Sequence, residues 1–415
     1  MVSIVILAIV FILIATRRIG SIKLQVWQIM FFGALTVLLT RQISIKEAFM
    51  AISWEVMLFL FSMFIIGEAV EKSGYLAHIT YKIFKKAKSL NWLLIYILFV
   101  MGFASSILMN DTVAIVGTPV VLLLARKHNI EPKILLLTLA FAITIGSVMS
   151  PLGNPQNFLI ATQSNIKNPF FMFAKYLFLP TVINLYLTFL VLKIVFKKHF
   201  NNISLVYSQE PIKDRHLSIL SKVSLILLLV LIVMKILTTI FFPHINIKLV
   251  YITAISSLPI VIFSRKRLQI IKKVDWQTLV FFASMFILMQ SVWDTRIFQK
   301  IIENTKINIT SLTSIMLIST ILSQLISNVP LVNLYLQIIE SCSYGIKELM
   351  ALASASTVAG NFTILAAASN IIIIHTAEKK LNQHNIISFF EFFKIGSVIT
   401  LINISVYLLF LKMLP

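Results

Sequence analysis

The chain has 415 residues, of which 59% are hydrophobic and 12% are charged, and its mean hydropathy is +0.95. This apolar content exceeds what a soluble core can bury, and its continuous apolar runs exclude an outer-membrane barrel, whose strands alternate apolar and polar residues. The net charge of +21 does not indicate a nucleic-acid partner, because the cations lie in short loops between apolar runs, as in membrane proteins. The sequence therefore predicts an all-α polytopic membrane protein.

The first part of the chain, residues 1–198, begins with an apolar run at about 3–16 that is followed, not preceded, by Arg17 and Arg18. This order predicts a retained helix and not a cleavable signal peptide. Lysines interspersed among apolar residues between 71 and 88 predict a helix on the membrane surface. Two runs are too long for one simple span and contain a polar break. We predict a hairpin in the first of these runs and a broken helix in the second, at about 91–125 and 133–165. Shorter runs lie at about 24–40, 53–70 and 170–196.

The most polar stretch, residues 199–218, predicts a cytoplasmic linker that divides the chain near its middle. Residues 219–415 then repeat the arrangement of the first part. Two long runs with polar breaks predict a second hairpin at about 309–340 and a second broken helix at about 348–377. Residues 294–308 fall outside the apolar runs, as residues 71–88 do. The remaining runs lie at about 219–241, 246–263, 275–293 and 387–413.

The two parts share a sequence pattern. Trp54 to Ile65 and Trp276 to Ile287 carry Trp, Phe, Ser, Met, Phe and Ile at matching positions. Further matches follow in the same order, which indicates an internal repeat. They align Ser106, Leu108, Asp111 and Asn157 with Ser323, Leu325, Asn328 and Asn370.

The distribution of lysine and arginine predicts the orientation of the chain. With the N-terminus outside, and with each hairpin returning to the side from which it came, most of the 36 Lys and Arg residues lie on the inner side. The helix of Trp54 then starts outside and the helix of Trp276 starts inside. The sequence therefore predicts two inverted-topology repeats, which are typical of secondary transporters, in the plasma or inner membrane.

The hairpin tips are the first pair of polar breaks. Asn110, Asp111 and Thr112 interrupt one apolar run, and Ser327 and Asn328 interrupt the other. A carboxylate at membrane depth is costly and marks an ion or substrate path, and these oxygen atoms suit Na⁺ or a proton carried by Asp111. Small residues before the first tip favour a buried, re-entrant hairpin. The alternative is two full spans joined by an ordinary turn, which has the same charge distribution.

The second pair of polar breaks lies in the predicted broken helices. In the first, Gly153-Asn154-Pro155-Gln156-Asn157 cannot continue an α-helix, which favours unwinding over a simple proline kink. A half-helix that starts near Asn157 would direct its positive dipole end at an anionic group. The second break has no proline, and its candidate ligands are placed by the repeat. They are Thr363, Ser369 and Asn370.

This order of motifs resembles the ion transporter superfamily, and most closely its branch of arsenite permeases and NhaD-type sodium/proton antiporters. The resemblance spans nearly the whole chain. It implies two inverted repeats with re-entrant hairpins and broken helices, an elevator-like movement of the site, and a homodimer. Dicarboxylate members carry Ser-Asn-Thr at both tips, whereas this chain has Asn110-Asp111-Thr112 and Ser327-Asn328-Val329. That departure argues against a dicarboxylate substrate.

The sequence predicts a secondary active transporter of a small inorganic anion or an arsenite-like solute, coupled to H⁺ or Na⁺. Asp111, with Asn110 and Thr112, is expected to bind the coupling ion. The solute is expected to be bound by Gly153, Asn154, Asn157, Ser327, Asn328, Thr363, Ser369 and Asn370. No cation accompanies Asp111 at the same depth, which permits its protonation and disfavours a multiply charged anion.

Other functions fit the sequence less well. A Na⁺/H⁺ antiporter is the first alternative, and a citrate-type carboxylate transporter is the second. An intramembrane enzyme would need paired acids, an activated serine or a metal motif, and none is apparent. A channel would show a pore-loop signature, and none is apparent in the sequence. The chain has no phosphate-binding loop, so we expect no cofactor beyond the coupling ion, and energy from an ion gradient or from a separate ATPase subunit.

Overall fold

The computed structural model describes residues 2–16, 18–19, 22–75, 78, 84, 87, 89–164, 166–197, 212–241, 248–296, 310–326, 328–340, 344–381 and 386–414. These residues are almost entirely helical, as the sequence predicts. The only strands among them are the two-residue pair β1 (Arg18–Ile19) and β2 (Ile22–Lys23). Ser327, most of the surface segment 71–88 and residues 297–308 lie outside the described residues.

The helices before residue 198 follow the predicted order. The chain bends by 54° between α3 and α4, and α5 and α9 each contain a π-helical turn. The helices are α1 (Val2–Thr16), α2 (Val26–Leu39), α3 (Ile45–Ala51), α4 (Trp54–Ser73), α5 (Leu90–Leu108), α6 (Asn110–Lys127), α7 (Pro132–Ser147), α8 (Pro155–Gln163) and α9 (Pro169–Val195).

The helices after residue 211 show the same order of elements. The first of them begins at Arg215, so the last residues of the predicted linker 199–218 are helical. The helices are α10 (Arg215–Phe241), α11 (Leu249–Phe263), α12 (Arg267–Lys273), α13 (Trp276–Trp293), α14 (Leu312–Ile326), α15 (Asn328–Glu340), α16 (Ile346–Val358), α17 (Ala368–Leu381) and α18 (Phe389–Met413).

Membrane-spanning capacity is spread over both halves. Among the described residues, 5 helices are long and apolar enough to cross a membrane, and the bent pair α3–α4 makes up to 6. The long helices are α5, α9, α10, α13 and α18. Several shorter helices are also apolar, and three of them, which begin at Pro132, Leu312 and Asn328, are pieces of long predicted runs that a break divides.

The first hairpin turns at a single residue. Met109 separates α5 from α6 and has a positive φ of 68°. Before the turn, α5 lies against α7 at two glycines, where a Cβ on Gly146 would come within 2.2 Å of the Gly102 carbonyl oxygen. This close approach holds the hairpin against the first broken helix.

The two halves pack crosswise. The hairpin helix α6 packs on α17, which belongs to the second broken helix, and α8 of the first broken helix packs on α15 of the second hairpin. The helices α2 and α13 pack together beside them, as do α4 and α11. The crosswise packing brings the hairpin tips and the helix breaks to one place. The inverted orientation of the halves and the re-entrant position of the hairpins in a membrane stay predictions.

Candidate functional site

One cavity of about 470 Å³ lies where the tips and breaks meet. The helices α2, α6, α8, α13, α15 and α17 all begin at its wall. Its mouth is beside Gln25 and Gln277, which are exposed, and its deeper wall includes the buried Asp111. The lining residues that carry the argument below are Gln25, Asn110, Asp111, Gln156, Asp275, Gln277, Thr278 and Asn328.

The tip of the first hairpin places Asn110 and Asp111 on the cavity wall. The backbone N–H of Asn110 donates to the carbonyl of Gly153 at 2.9 Å, which fixes the tip to the first helix break. The Asn110 side-chain oxygen accepts from the backbone N–H of Asp111, also at 2.9 Å. The Asp111 side chain is 9% exposed, and no described residue forms a hydrogen bond or an ion pair with its carboxylate. Asp111 therefore keeps its capacity to bind a cation.

Thr112, the third residue of this tip, is buried but does not line the cavity. It packs against Gly67 on α4, where a Cβ would come within 2.6 Å of the Thr112 methyl carbon. The structure therefore gives Thr112 a packing role at the back of the tip, in place of the predicted contact with the coupling ion.

The tip of the second hairpin places Asn328 on the same wall. In the internal repeat, Asn328 aligns with Asp111 of the first tip. Asn328 is 6% exposed, and its Oδ1 has no hydrogen-bond partner among the described residues. A buried carbonyl oxygen without a partner is costly, so it is a candidate ligand for a cation or a solute hydroxyl. Ser327, its predicted companion, lies outside the described residues.

The polar side chains of the first break hydrogen-bond to its unwound backbone and stabilise it. Asn154 caps α8 by accepting from the Asn157 N–H at 2.9 Å, and it donates to Ser147. Asn157 donates to the carbonyls of Ser147, Val148 and Ser150 at 3.0–3.2 Å. Neither Asn154 nor Asn157 is exposed or lines the cavity. The predicted direct contact with solute therefore does not match their geometry, because the unwound backbone consumes their hydrogen-bonding capacity.

Gly153 acts in the same way. Its carbonyl receives the Asn110 N–H, and a Cβ there would lie 2.0 Å from the Ser147 carbonyl oxygen. It positions the first tip and is not on the cavity wall. The next residues of the break, Pro155 and Gln156, do line the cavity, and Gln156 is held by a 3.3 Å hydrogen bond to the Thr357 hydroxyl.

The second break runs through two short 3₁₀ turns, Ala359–Asn361 and Ile364–Ala366, before α17 begins at Ala368. Its wall residues are small and apolar, Ala366 to Ala368. Thr363 donates to the Gln324 side chain at 2.9 Å and does not line the cavity. Asn370 donates to the Gly360 carbonyl at 2.7 Å. The Oδ1 of Asn370 and the Oγ of Ser369 are buried without described partners; neither residue lines the cavity, but both lie in the chain between the lining residues Ala368 and Ile371.

Sequence reasoning missed the residues at the start of α13. Asp275, Gln277 and Thr278 line the cavity, and Asp275 caps the helix by accepting from the Thr278 N–H at 3.0 Å. An acid just before Trp276 is an ordinary helix start in sequence, and the prediction placed only Asp111 at membrane depth. The available signal was its position directly before the repeated Trp motif, which starts the fourth helix of each half.

The charged side chains that line the cavity are all acidic. Two carboxylates, Asp111 and Asp275, line it and repel each other, whereas no Lys, Arg or His occurs among the described lining residues. The helix beginnings around the wall contribute the opposite polarity, since N-terminal helix ends present N–H groups and partial positive charge. The cavity therefore offers both donors and acceptors, with room for a small polar solute and a cation.

The described residues contain no group of three or more His, Cys, Asp or Glu side chains that would hold a metal ion.

Comparisons with known proteins place this geometry in context. The family model described as "Citrate transporter", CitMHS, matches residues 9–346. A "46 kDa membrane protein" of Mycobacterium leprae is 28% identical over 385 residues, covering 85% of each chain.

Two further relatives match shorter regions. A "Putative transporter arsB" of Dictyostelium discoideum is 29% identical over 40% of this chain and 29% of its own length. The "Silicon efflux transporter LSI3" of Oryza sativa subsp. japonica is 32% identical over 32% of this chain and 28% of its own length.

Among solved structures, the YdaH transporter of Alcanivorax borkumensis superposes with a TM-score of 0.58 at 13% identity, covering 91% of this chain and 88% of that one. At this identity the likeness concerns the fold alone. It agrees with the predicted all-helical membrane architecture.

Proposed function

Because the chain belongs to the CitMHS citrate transporter family, we propose that it is a secondary active transporter of a small, uncharged, hydroxylated solute of the arsenite type, coupled to H⁺ or Na⁺. Membership in this family confirms the predicted resemblance to the ion transporter superfamily and the prediction of a multi-pass membrane transporter. The identity of the solute and of the coupling ion is our proposal.

The polarity of the cavity is the observation that carries the choice of solute. A hydroxyl group both donates and accepts hydrogen bonds, so it fits a wall of carboxylates and helix N-termini. Two acids without a described basic lining residue oppose an anion, and most strongly a multiply charged one. Of the predicted solutes, an arsenite-like species therefore fits better than an inorganic anion.

The second half of the chain supplies free hydrogen-bonding capacity next to this wall. The Oδ1 of Asn328, the Oγ of Ser369 and the Oδ1 of Asn370 are buried without described partners. By contrast, the amides of Asn154 and Asn157 in the first half are used by the backbone. This difference supports a division in which the first half carries the coupling ion at Asp111 and the second half binds the solute.

The relatives give limited support of the same kind. One relative's name refers to silicon efflux, and silicon dissolves at neutral pH as an uncharged hydroxylated acid. That match covers only a third of the chain, so it adds to the argument from the cavity without replacing it.

The second candidate is Na⁺/H⁺ exchange, and the paired carboxylates Asp111 and Asp275 favour it. A citrate-type carboxylate is suggested by the family description, but no described lining residue offers the Arg or Lys that such a substrate would require.

A substrate panel in proteoliposomes tests these proposals. The purified protein is supplied with arsenite, silicic acid, phosphate or citrate, while H⁺ and Na⁺ gradients are imposed separately. We expect gradient-driven uptake of arsenite or silicic acid, with little uptake of citrate. Uptake of citrate alone would replace our proposal with the carboxylate alternative, and solute-independent exchange of Na⁺ for H⁺ would establish the antiporter.

Asp111 is the residue at which coupling is tested. Asp111→Asn removes the charge and keeps the volume of the side chain, so we expect gradient-driven uptake to fall at least about a hundredfold, as for loss of a charged group used in every cycle. Thr112→Ser, at the back of the same tip, serves as a control and should keep uptake. Unchanged gradient-driven uptake by the Asp111→Asn protein would remove this residue from the coupling mechanism.

The remaining expectations concern the cellular setting. We propose that the protein works in the plasma or inner membrane with its N-terminus outside, that it forms a homodimer, and that it is not an enzyme. In this orientation the mouth of the cavity beside Gln25 and Gln277 faces the cytoplasm. A separate ATPase subunit remains an alternative source of energy, and dependence of uptake by the purified protein on an ion gradient alone would argue against it.

A further inference from the structure

Asp275 occupies a particular place in the cavity. It lines the wall with Asp111, but it is half-buried and lies beside the exposed residues Trp276 and Gln277 at the mouth. Asp111 is more deeply buried, at 9% exposure. A cation that enters from the mouth therefore meets the Asp275 carboxylate before it reaches Asp111.

Helix capping explains the hydrogen bonds of Asp275 but not its charge. Its Oδ1 accepts from the Thr278 N–H at 3.0 Å, and its Oδ2 accepts from the Thr278 hydroxyl at 2.6 Å. Asparagine and serine cap helices about as well as aspartate. In the first half, the helix that starts at Trp54 is preceded by Ser53, whose side chain makes no capping hydrogen bond. A carboxylate is thus not required to begin this helix.

The surroundings of Asp275 favour a positively charged ligand. The two carboxylates share one cavity, repel each other and have no basic side chain among the described lining residues. The buried Oδ1 of Asn328 lines the same cavity and has no described partner. Carboxylate and amide oxygens together are the ligands that hard cations prefer.

We propose that Asp275 is a second cation-binding carboxylate of the transport site, which binds the coupling cation as it moves between Asp111 and the mouth. This inference rests on the proposed function, because it concerns the cation that drives the solute. If correct, binding of the coupling cation involves a charged residue of the second half, whereas the sequence predicts a cation site in the first half alone.

Other charged groups lie near the start of α13 and share its environment. Lys272 and Lys273 precede Asp275 on α12, and Lys273 is 4.0 Å from Glu68 at the end of α4. Glu71 on α4 also interacts with Lys273. None of these four groups lines the cavity, whereas Asp275 and Asp111 both do.

The test replaces Asp275 by Asn, which keeps the cap and removes the charge. In proteoliposomes, the H⁺ or Na⁺ concentration that gives half-maximal uptake is measured at saturating arsenite or silicic acid, and the KM of the solute is measured at saturating cation. We expect Asp275→Asn to raise the half-saturating cation concentration at least about tenfold and to leave the solute KM within about twofold. Asp275→Glu should restore most of the cation affinity.

Matched variants keep the result interpretable. Asp294→Asn removes an exposed carboxylate from the other end of the same helix and should change neither value. If Asp275→Asn does not fold, Asp275→Ser copies the residue that precedes the equivalent helix in the first half. A half-saturating cation concentration within about twofold of the original protein's in a folded Asp275 variant would overturn the proposal.

The experiment also separates this inference from the proposed function. If the proposed function fails, neither ion gradient drives solute uptake by the unmutated protein. If only the role of Asp275 fails, the unmutated protein transports normally, and Asp275→Asn has the same half-saturating cation concentration as the unmutated protein.

Discussion

At the scale of single residues, similar polar side chains serve different purposes in this site. Asn328 keeps a buried oxygen without a described partner, whereas Asn157 uses its side-chain NH₂ for three backbone carbonyls. Sequence reasoning singled out both, because each is an amide in an apolar run. It could not separate them, because the fate of an amide depends on which backbone groups the break leaves unpaired.

Asn157 yields a prediction about stability. Asn157→Ala leaves three buried or half-buried carbonyls with fewer donors, so we expect a loss of at least about 2 kcal/mol of stability. Asn168→Ala, which removes one capping interaction at the start of α9, should cost only about 1 kcal/mol. The measurement is the thermal unfolding temperature of both variants in the same detergent. An unfolding temperature for Asn157→Ala at or above that of Asn168→Ala would contradict this role.

Asp275 is a site residue that sequence reasoning did not find. It was missed because an acid at a helix start is common and has a sufficient local explanation. Only the packing of α13 beside α2, with both helices beginning at the cavity, brings it into the same space as Asp111. The tip residues Asn110, Asp111 and Asn328 could be found earlier, since nothing local explains a polar cluster inside an apolar run.

At the scale of elements, the long apolar runs with polar breaks predicted the interrupted helices well. The turn at Met109 and the breaks before Pro155 and Ala368 fall inside the predicted segments. Proline, glycine and capping asparagine mark the first break in the sequence, because they cannot continue a helix or they begin one. The 3₁₀ turns of the second break carry no such signal, and the repeat alone located them.

The contact between α5 and α7 gives a prediction for the elements. A Cβ on Gly146 would lie 2.2 Å from the Gly102 carbonyl oxygen, which belongs to rigid helix backbone. Gly146→Ala should therefore push the hairpin away from the broken helix, at a cost of about 1–3 kcal/mol, and reduce uptake.

Gly117→Ala is the matched control for that variant. Its added Cβ would meet the Leu139 side chain at 3.0 Å, and a flexible side chain can shift. We expect its unfolding temperature to change little, since alanine also favours the helix. Equal effects of the two alanine variants on the unfolding temperature and on uptake would show that the glycine contact does not position the hairpin.

At the scale of the whole molecule, the site depends on both halves at once. The crosswise packing of α6 on α17 and of α8 on α15 means that neither half encloses the cavity alone. Local patterns predicted the elements and their repetition, but they contain no information on which half packs against which. The inverted orientation of the halves remains a prediction that accessibility labelling of loop cysteines in intact cells would test.

The connection between the halves gives a prediction about pH. The backbone N–H of Lys213 donates to the Ser73 carbonyl at 3.0 Å, and Asp214 then caps α10 and pairs with Lys266 at 2.6 Å. The hydrogen bond from the Leu217 N–H, and then Lys266, lower the pKa of Asp214 below the usual value for aspartate. A lowered pKa means that its stabilising contribution is present above the pKa of the unfolded chain and is lost as the pH falls through the folded value.

Asp214→Asn measures that contribution. The variant keeps an N-cap and loses the charge, so we expect it to unfold at a lower temperature than the original protein near pH 7 and at a similar temperature near pH 2. Unfolding curves across this pH range provide the comparison. A difference that stays constant down to the lowest pH would mean that the charge of Asp214 is not its cause.

The convergence of helix beginnings on one cavity also bears on how such a protein can change its substrate over evolutionary time. Several helix N-termini contribute backbone N–H donors to the wall, whereas the charges among the described lining residues belong to two side chains, Asp111 and Asp275. Exchanging one or two of these side chains would reset the charge preference while the scaffold stays intact. A change of substrate within one scaffold would then require very few codon changes.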